Sequence, residues 1–167
     1  MILVLPAAAF AAAAPPFPNA RLQGTFQLAG RVTAAHAVKG ERVGQTLARL
    51  WSFSSTCPSG QCDQIALVRS RGAASDSLTL SRTGPGRYSG NGSFSLPLRC
   101  AGRLYPQGEQ VPFTINVRIT LAVPFGDQTV ATRVSATYVN RRRINRTPCV
   151  AALGHDAASY HGHLAPA

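Results

Sequence analysis

The amino-acid sequence predicts an all-β protein: a single antiparallel barrel of about eight strands, or a strongly twisted β-sandwich, held by two disulfides. Three observations carry this. From Val111 to Phe125 every odd position is apolar, while Thr114, Asn116, Arg118 and Thr120 stand between them. Period-two alternation marks a strand with one face in a core and one in water. At about 3.3 Å per residue that run reaches roughly 50 Å, too long to stay flat, so it must coil as strands do around a barrel. Shorter alternating runs recur along the chain between turn formers, and none reads as a helix of about ten residues. Four cysteines, Cys57, Cys62, Cys100 and Cys149, form the even set of a stapled exported domain.

Residues 1–20 read as an export leader. Met1 to Ala14 is almost wholly apolar, and small alanine sites precede Pro15-Pro16. The stretch falls short of the about 20 residues that a membrane-spanning helix needs, and the later apolar runs alternate. Residues 21–167 form one domain, long enough for a sizeable core.

Within that domain, Leu22 to Ala34 alternates, with Leu22, Phe26, Leu28 and Val32 on one face. Gly24 and Gly30 share that face and allow bending or close approach. A turn around Lys39-Gly40-Glu41 leads to a second strand, Val43 to Ser54, carrying Arg49, Trp51 and Phe53. A turn-rich loop holds Cys57 and Cys62, and a third strand runs from Gln64 to Arg71. Asp76 to Arg82 and Arg87 to Leu96 form a hairpin around Thr83-Gly84-Pro85-Gly86, with Leu78 and Leu80 facing Tyr88 and Phe94. Leu98 to Gln110 reads as a loop. After the long strand, Gly126-Asp127 fits a type II′ turn. Pairing Phe125 with Gln128 sets Val123 on Val130, Leu121 on Thr132, Ile119 on Val134, Val117 on Ala136 and Ile115 on Tyr138; a slip of one residue would set that apolar face against Arg133, Ser135 and Thr137. Asn140 to Cys149 is an arginine-rich connection, and Ala157 to Gly162 a short closing strand.

Four cysteines allow three connectivities. The local spacing favours Cys57–Cys62, which leaves Cys100–Cys149. A four-thiolate zinc site would show paired short spacings, and only one is present. The layout resembles that of lipocalin-type secreted barrels, whose opening Gly-x-Trp corresponds to Gly24-Thr25-Phe26 here. The likeness is one of layout, and no family is assigned.

Function is constrained more loosely. The net charge of +11 favours anionic partners: a small acidic ligand, an anionic cell-envelope polymer, lipid headgroups or an acidic protein. Nucleic acid is disfavoured by export and by only 12 aromatic residues, most on core faces. All six acids (Glu41, Asp63, Asp76, Glu109, Asp127, Asp156) fall in turns or connections, no nucleophile or metalloprotease motif is present, and no cofactor is expected. The sequence thus points away from an enzyme. On the core face of the second strand Arg49 lies beside Trp51; on that of the third, Arg69 follows Leu67. Pairing Phe53 with Ile65 sets Arg49 opposite Arg69, an unfavourable pair unless an anion lies between them. The expected ligand site is therefore Arg49, Trp51, Phe53, Arg69, Tyr88, Phe113 and Tyr138. The alternative is a basic surface of Arg141, Arg142, Arg143 and Arg146. His161-x-His163 is a weak metal candidate; that terminus reads as a solvated tail, and no metal site is assigned.

Overall fold

The computed structural model describes residues 17, 19–72, 74–150 and 153–166. The leader expected over residues 1–20 lies mostly outside them. Among the described residues there are nine strands: β1 (Gly24–His36), β2 (Thr46–Ser55), β3 (Gln64–Arg71), β4 (Ala74–Gly84), β5 (Arg87–Cys100), β6 (Arg103–Phe125), β7 (Gln128–Asn140), β8 (Ile144–Asn145) and β9 (His155–Leu164). Every pairing between them is antiparallel, each barrel strand hydrogen-bonds its neighbour in the chain, and β5 pairs with β6 while β9 closes on β1. The result is a closed barrel of eight strands with β8 added on the edge of β6. Both disulfides form with the pairing expected, Cys57–Cys62 and Cys100–Cys149. They fit an oxidising, extracytoplasmic environment. Among the described residues no helix is long and apolar enough to cross a membrane. Outward strand positions carry polar side chains such as Ser75, Ser77, Thr79, Asn91, Ser93 and Asn116, together with exposed apolar ones such as Leu50, Val68 and Val123.

The core follows the alternation. Phe26, Leu28, Trp51, Phe53, Ile65, Leu67, Leu80, Tyr88, Ile115, Val117 and Val134 converge inside. The lower end, where β1 begins, is closed by the segment before it: Ala20 and Leu22 are fully buried, and Arg21 bridges to Val130 of β7. The upper end is framed by residues 37–45 and by the connection after β7.

The β6–β7 hairpin has the expected register at every pair but one. Gly126 adopts φ +62° as a type II′ turn requires, yet a bulge sets Leu121 against Arg133 instead of Thr132. The other departures are larger. Leu98 to Gln110 is not a loop: β5 and β6 continue as a protruding arm around Ala101-Gly102, both at positive φ as a type I′ turn demands. The disulfide pins this arm to the connection at Cys149. β4 and β5 pair only at Ser81, Arg82 and Gly84, and Leu80 and Leu78 instead face Ile65 and Leu67 of β3. The closing strand is ten residues long, so the C-terminal histidines lie on a barrel stave and not on a tail.

Gly30 shows how tightly the staves pack. It pairs with Tyr160, and a Cβ built on it would fall 2.2 Å from the tyrosine ring. Gly30→Val should therefore destabilise the barrel by about 1–3 kcal/mol through forced displacement of Tyr160. Chemical denaturation measures this, and an unchanged midpoint would show that the ring moves aside without cost.

Candidate functional site

The upper end of the barrel contains a cavity of about 370 Å³. Its apolar wall includes Val32, Leu47, Trp51, Phe94, Leu96 and Tyr160. Its charged wall is built from Arg49, Arg69, Arg71, Arg143 and Asp156, with Lys39 and Glu41 contributed by the β1–β2 connection.

The charged wall arises from strand register. Trp51 pairs with Arg69, which pairs with Asp76, so the three lie in one row across β2, β3 and β4. Arg69 grips Asp76 with two parallel bonds, Nε to Oδ1 at 2.7 Å and Nη2 to Oδ2 at 2.8 Å. The Arg71 Nε donates to the same Oδ2 at 2.7 Å. Two guanidinium groups thus share a single carboxylate. Above the last β4–β5 pair these arginines bridge the parted seam, Arg71 stacking 3.7 Å from the Phe94 ring centroid and Arg69 3.9 Å from that of Phe113. Such contacts contribute about 0.5–2 kcal/mol each, most where water is excluded. Arg49 is different: its Nη1 donates to the Ala48 carbonyl at 2.9 Å, and among the described residues no carboxylate lies within ion-pair distance.

The opposite side is closed by Arg143. It reaches from the β7–β9 connection to Glu109 Oε1 at 2.7 Å and Asp156 Oδ1 at 2.8 Å, all three side chains being nearly buried. Burial works to lower the Arg143 pKa, but its bonds to Asp156 and Glu109 outweigh this and hold the charge more firmly than usual. Burial, reinforced by the Asp156 charge, raises Glu41 above the ordinary carboxylate range. Burial likewise raises Tyr160, and raises Tyr138 together with the neighbouring Asp156 charge. The two phenols are therefore neutral at physiological pH.

Of the residues expected to meet a ligand, Arg49, Trp51, Arg69 and Tyr138 line this cavity. Phe113 lies behind it, between Phe94 and Tyr138. Phe53 and Tyr88 belong to the lower end: Phe53 packs edge-on against Phe26, and the Tyr88 hydroxyl donates to the Cys62 carbonyl at 3.2 Å. The expected juxtaposition of Arg49 and Arg69 is incorrect. β2 and β3 pair two residues away from that register, Phe53 meets Leu67, and the anion facing Arg69 is Asp76. Asp76, Glu109 and Asp156 are nearly buried strand residues in ion pairs, not turn residues as expected.

Arg71, Phe94 and Glu41 were not anticipated. A tight return after Arg71 would have placed Asp76 opposite Arg69, and Gly72 at φ +64° was the available signal. The basic surface is also altered: Arg141, Arg142 and Arg146 are exposed, Arg146 donating to Gln110, but Arg143 is drawn inside. His161 and His163 project outward from β9, and no group of three His, Cys, Asp or Glu side chains among the described residues could hold a metal.

Fold and cavity together define a class: a closed up-and-down β-barrel with one packed end and a cationic, aromatic-lined cavity at the other. No protein-family model, curated protein or solved structure matches the chain.

Proposed function

We propose that this is an exported, non-enzymatic binding protein for a small amphipathic anion seated in the upper cavity. One observation carries the reading: the cavity contains Arg49 without a carboxylate partner and Arg69 with Arg71 sharing a single one, beside Trp51, Phe94 and Tyr160. A carboxylate or phosphate would satisfy the surplus guanidinium donors, and an aromatic or short aliphatic body would cover the apolar wall.

Arg69 is a poor test, because its removal would take away two of the three bonds that hold the nearly buried Asp76. Arg49 and Arg71 are better. Trp51, the single tryptophan, lines the cavity, so its fluorescence reports occupancy directly. Titration with aromatic and medium-chain carboxylates should give saturable binding. Each of Arg49→Ala and Arg71→Ala should weaken it about ten- to a hundred-fold, the range expected for a hydrogen bond to a charged group. Equal affinity in both variants would remove the cavity reading. Binding that survives in them but vanishes at high salt would move the function to Arg141, Arg142 and Arg146 as a surface for anionic polymer.

A further inference from the structure

At the lower end a buried arginine, Arg21, has no counter-charge among the described residues. Arg21 is 8% exposed and fixed through its backbone to β7, its N–H donating to the Thr129 carbonyl and its own carbonyl accepting from Ala131. Its guanidinium donates to the Gln23 side-chain oxygen, to the Ser55 carbonyl at 3.3 Å and to Cys57 Sγ at 3.7 Å. All three acceptors are neutral, and among the described residues no carboxylate lies within ion-pair distance. A buried charge in this state is unfavourable unless an anion can form beside it. The group in contact that can become one is Cys57, as a thiolate.

We propose that Cys57–Cys62 is a thiol–disulfide exchange site in which Arg21 stabilises the Cys57 thiolate, its co-reactant being a dithiol. The two sulfurs have unequal access, as exchange requires: Cys57 is half-buried on a loop with exposed neighbours Thr56, Pro58 and Ser59, while Cys62 is 2% exposed. A thiolate of the dithiol attacks Cys57 Sγ, the Cys57–Cys62 bond breaks, and Cys62 leaves as a thiolate that takes a proton from water. The second thiol of the reductant, deprotonated, then attacks its own sulfur in the mixed disulfide. The reductant closes to a cyclic disulfide, and Cys57 departs as a thiolate facing Arg21. Two electrons pass from the dithiol to the protein. Stabilising the departing thiolate favours the reduced form and makes this disulfide the more oxidising of the two. No guanidinium donates to sulfur at Cys100–Cys149 among the described residues. The short loop also leaves the fold little dependent on the bond, since closing five residues of sequence contributes only about 2 kcal/mol by chain entropy. The other titratable groups around the loop are Tyr88, Arg82 and Asp63; Asp63 is 82% exposed and already held by Arg82.

The test is graded reduction of the full chain with dithiothreitol, alkylation with iodoacetamide, and mass mapping of the labelled cysteines. Cys57–Cys62 should open at about ten-fold less dithiol than Cys100–Cys149, and Cys57 should reach half its maximal alkylation rate at least about one pH unit below the ordinary thiol value of about 8.5. Arg21→Gln should return that midpoint upward by about one unit and raise the dithiol requirement about ten-fold, whereas Arg21→Lys should keep most of the shift. A midpoint at or above the ordinary thiol value in the unsubstituted protein overturns the proposal, whether or not the variants fold. Equal shifts in the Gln and Lys variants overturn it as well, because charge would then not be the cause.

Discussion

Arg143→Met should destabilise the protein by about 3–5 kcal/mol, enough to lower its melting temperature by roughly 10 °C in a chain of this size. The guanidinium is the only ion-pair partner recorded for Glu109 and Asp156 among the described residues, and both carboxylates are nearly buried. Removing it leaves two nearly buried negative groups without a counter-charge, which is the costly way to break a buried ion network. Arg143 also ties the β7–β9 connection down, its backbone N–H donating to the Gly154 carbonyl at 3.2 Å. If burial of charge is the cause, adding Glu109→Gln and Asp156→Asn to Arg143→Met should recover most of the loss. Denaturant unfolding of the single and triple variants separates the two effects. A single variant within about 0.5 kcal/mol of the parent would mean that the carboxylates relax to solvent when released.

Replacing Cys100 and Cys149 by serine should cost about 4 kcal/mol, from the entropy of a loop closed across 49 residues. The same substitution at Cys57 and Cys62 should cost about half as much, because that loop spans only five. The structural effect should be confined to the β5–β6 arm and the connection bearing Arg141 and Arg142, since β6 is held by β5 and β7 on both sides from Thr114 to Arg118. Hydrogen exchange would show this as lost protection from Leu98 to Tyr105 with the barrel staves unchanged. Global loss of protection would instead make the arm part of the folding core.

Both results trace to a division between what alternation encodes and what it leaves open. Period two states which residues of a strand face inward, and here it placed Phe26, Trp51, Leu67, Phe113, Ile115 and Tyr138 inside without any knowledge of their neighbours. Turn chemistry at Gly126 then fixed the β6–β7 register, and cysteine spacing fixed both disulfides. The β2–β3 register was not encoded in this way. A slip of two residues keeps every side chain on its own face, and the intervening loop is long enough to permit it, so no pattern separates Phe53 on Leu67 from Phe53 on Ile65.

The arm was missed for a related reason. Ala101-Gly102 adopts a turn usually announced by Asn-Gly, and the strands beside it have no core to alternate against. The charged side chains were hardest to read. Arg69 and Asp76 are seven residues apart, while Arg143 is separated from Glu109 by 34, and an inward acid is tolerable only where the folded chain delivers its cation.

The sequence by itself therefore determined an antiparallel barrel, its inward face, its longest hairpin and its staples, because those depend on local periodicity and turn geometry. Only the tertiary structure decided which end is packed and which holds the cavity, which arginines are neutralised, and that Arg49 and Arg21 are not. Those outcomes depend on the depth at which each stave meets its neighbours, and period two carries no information about depth.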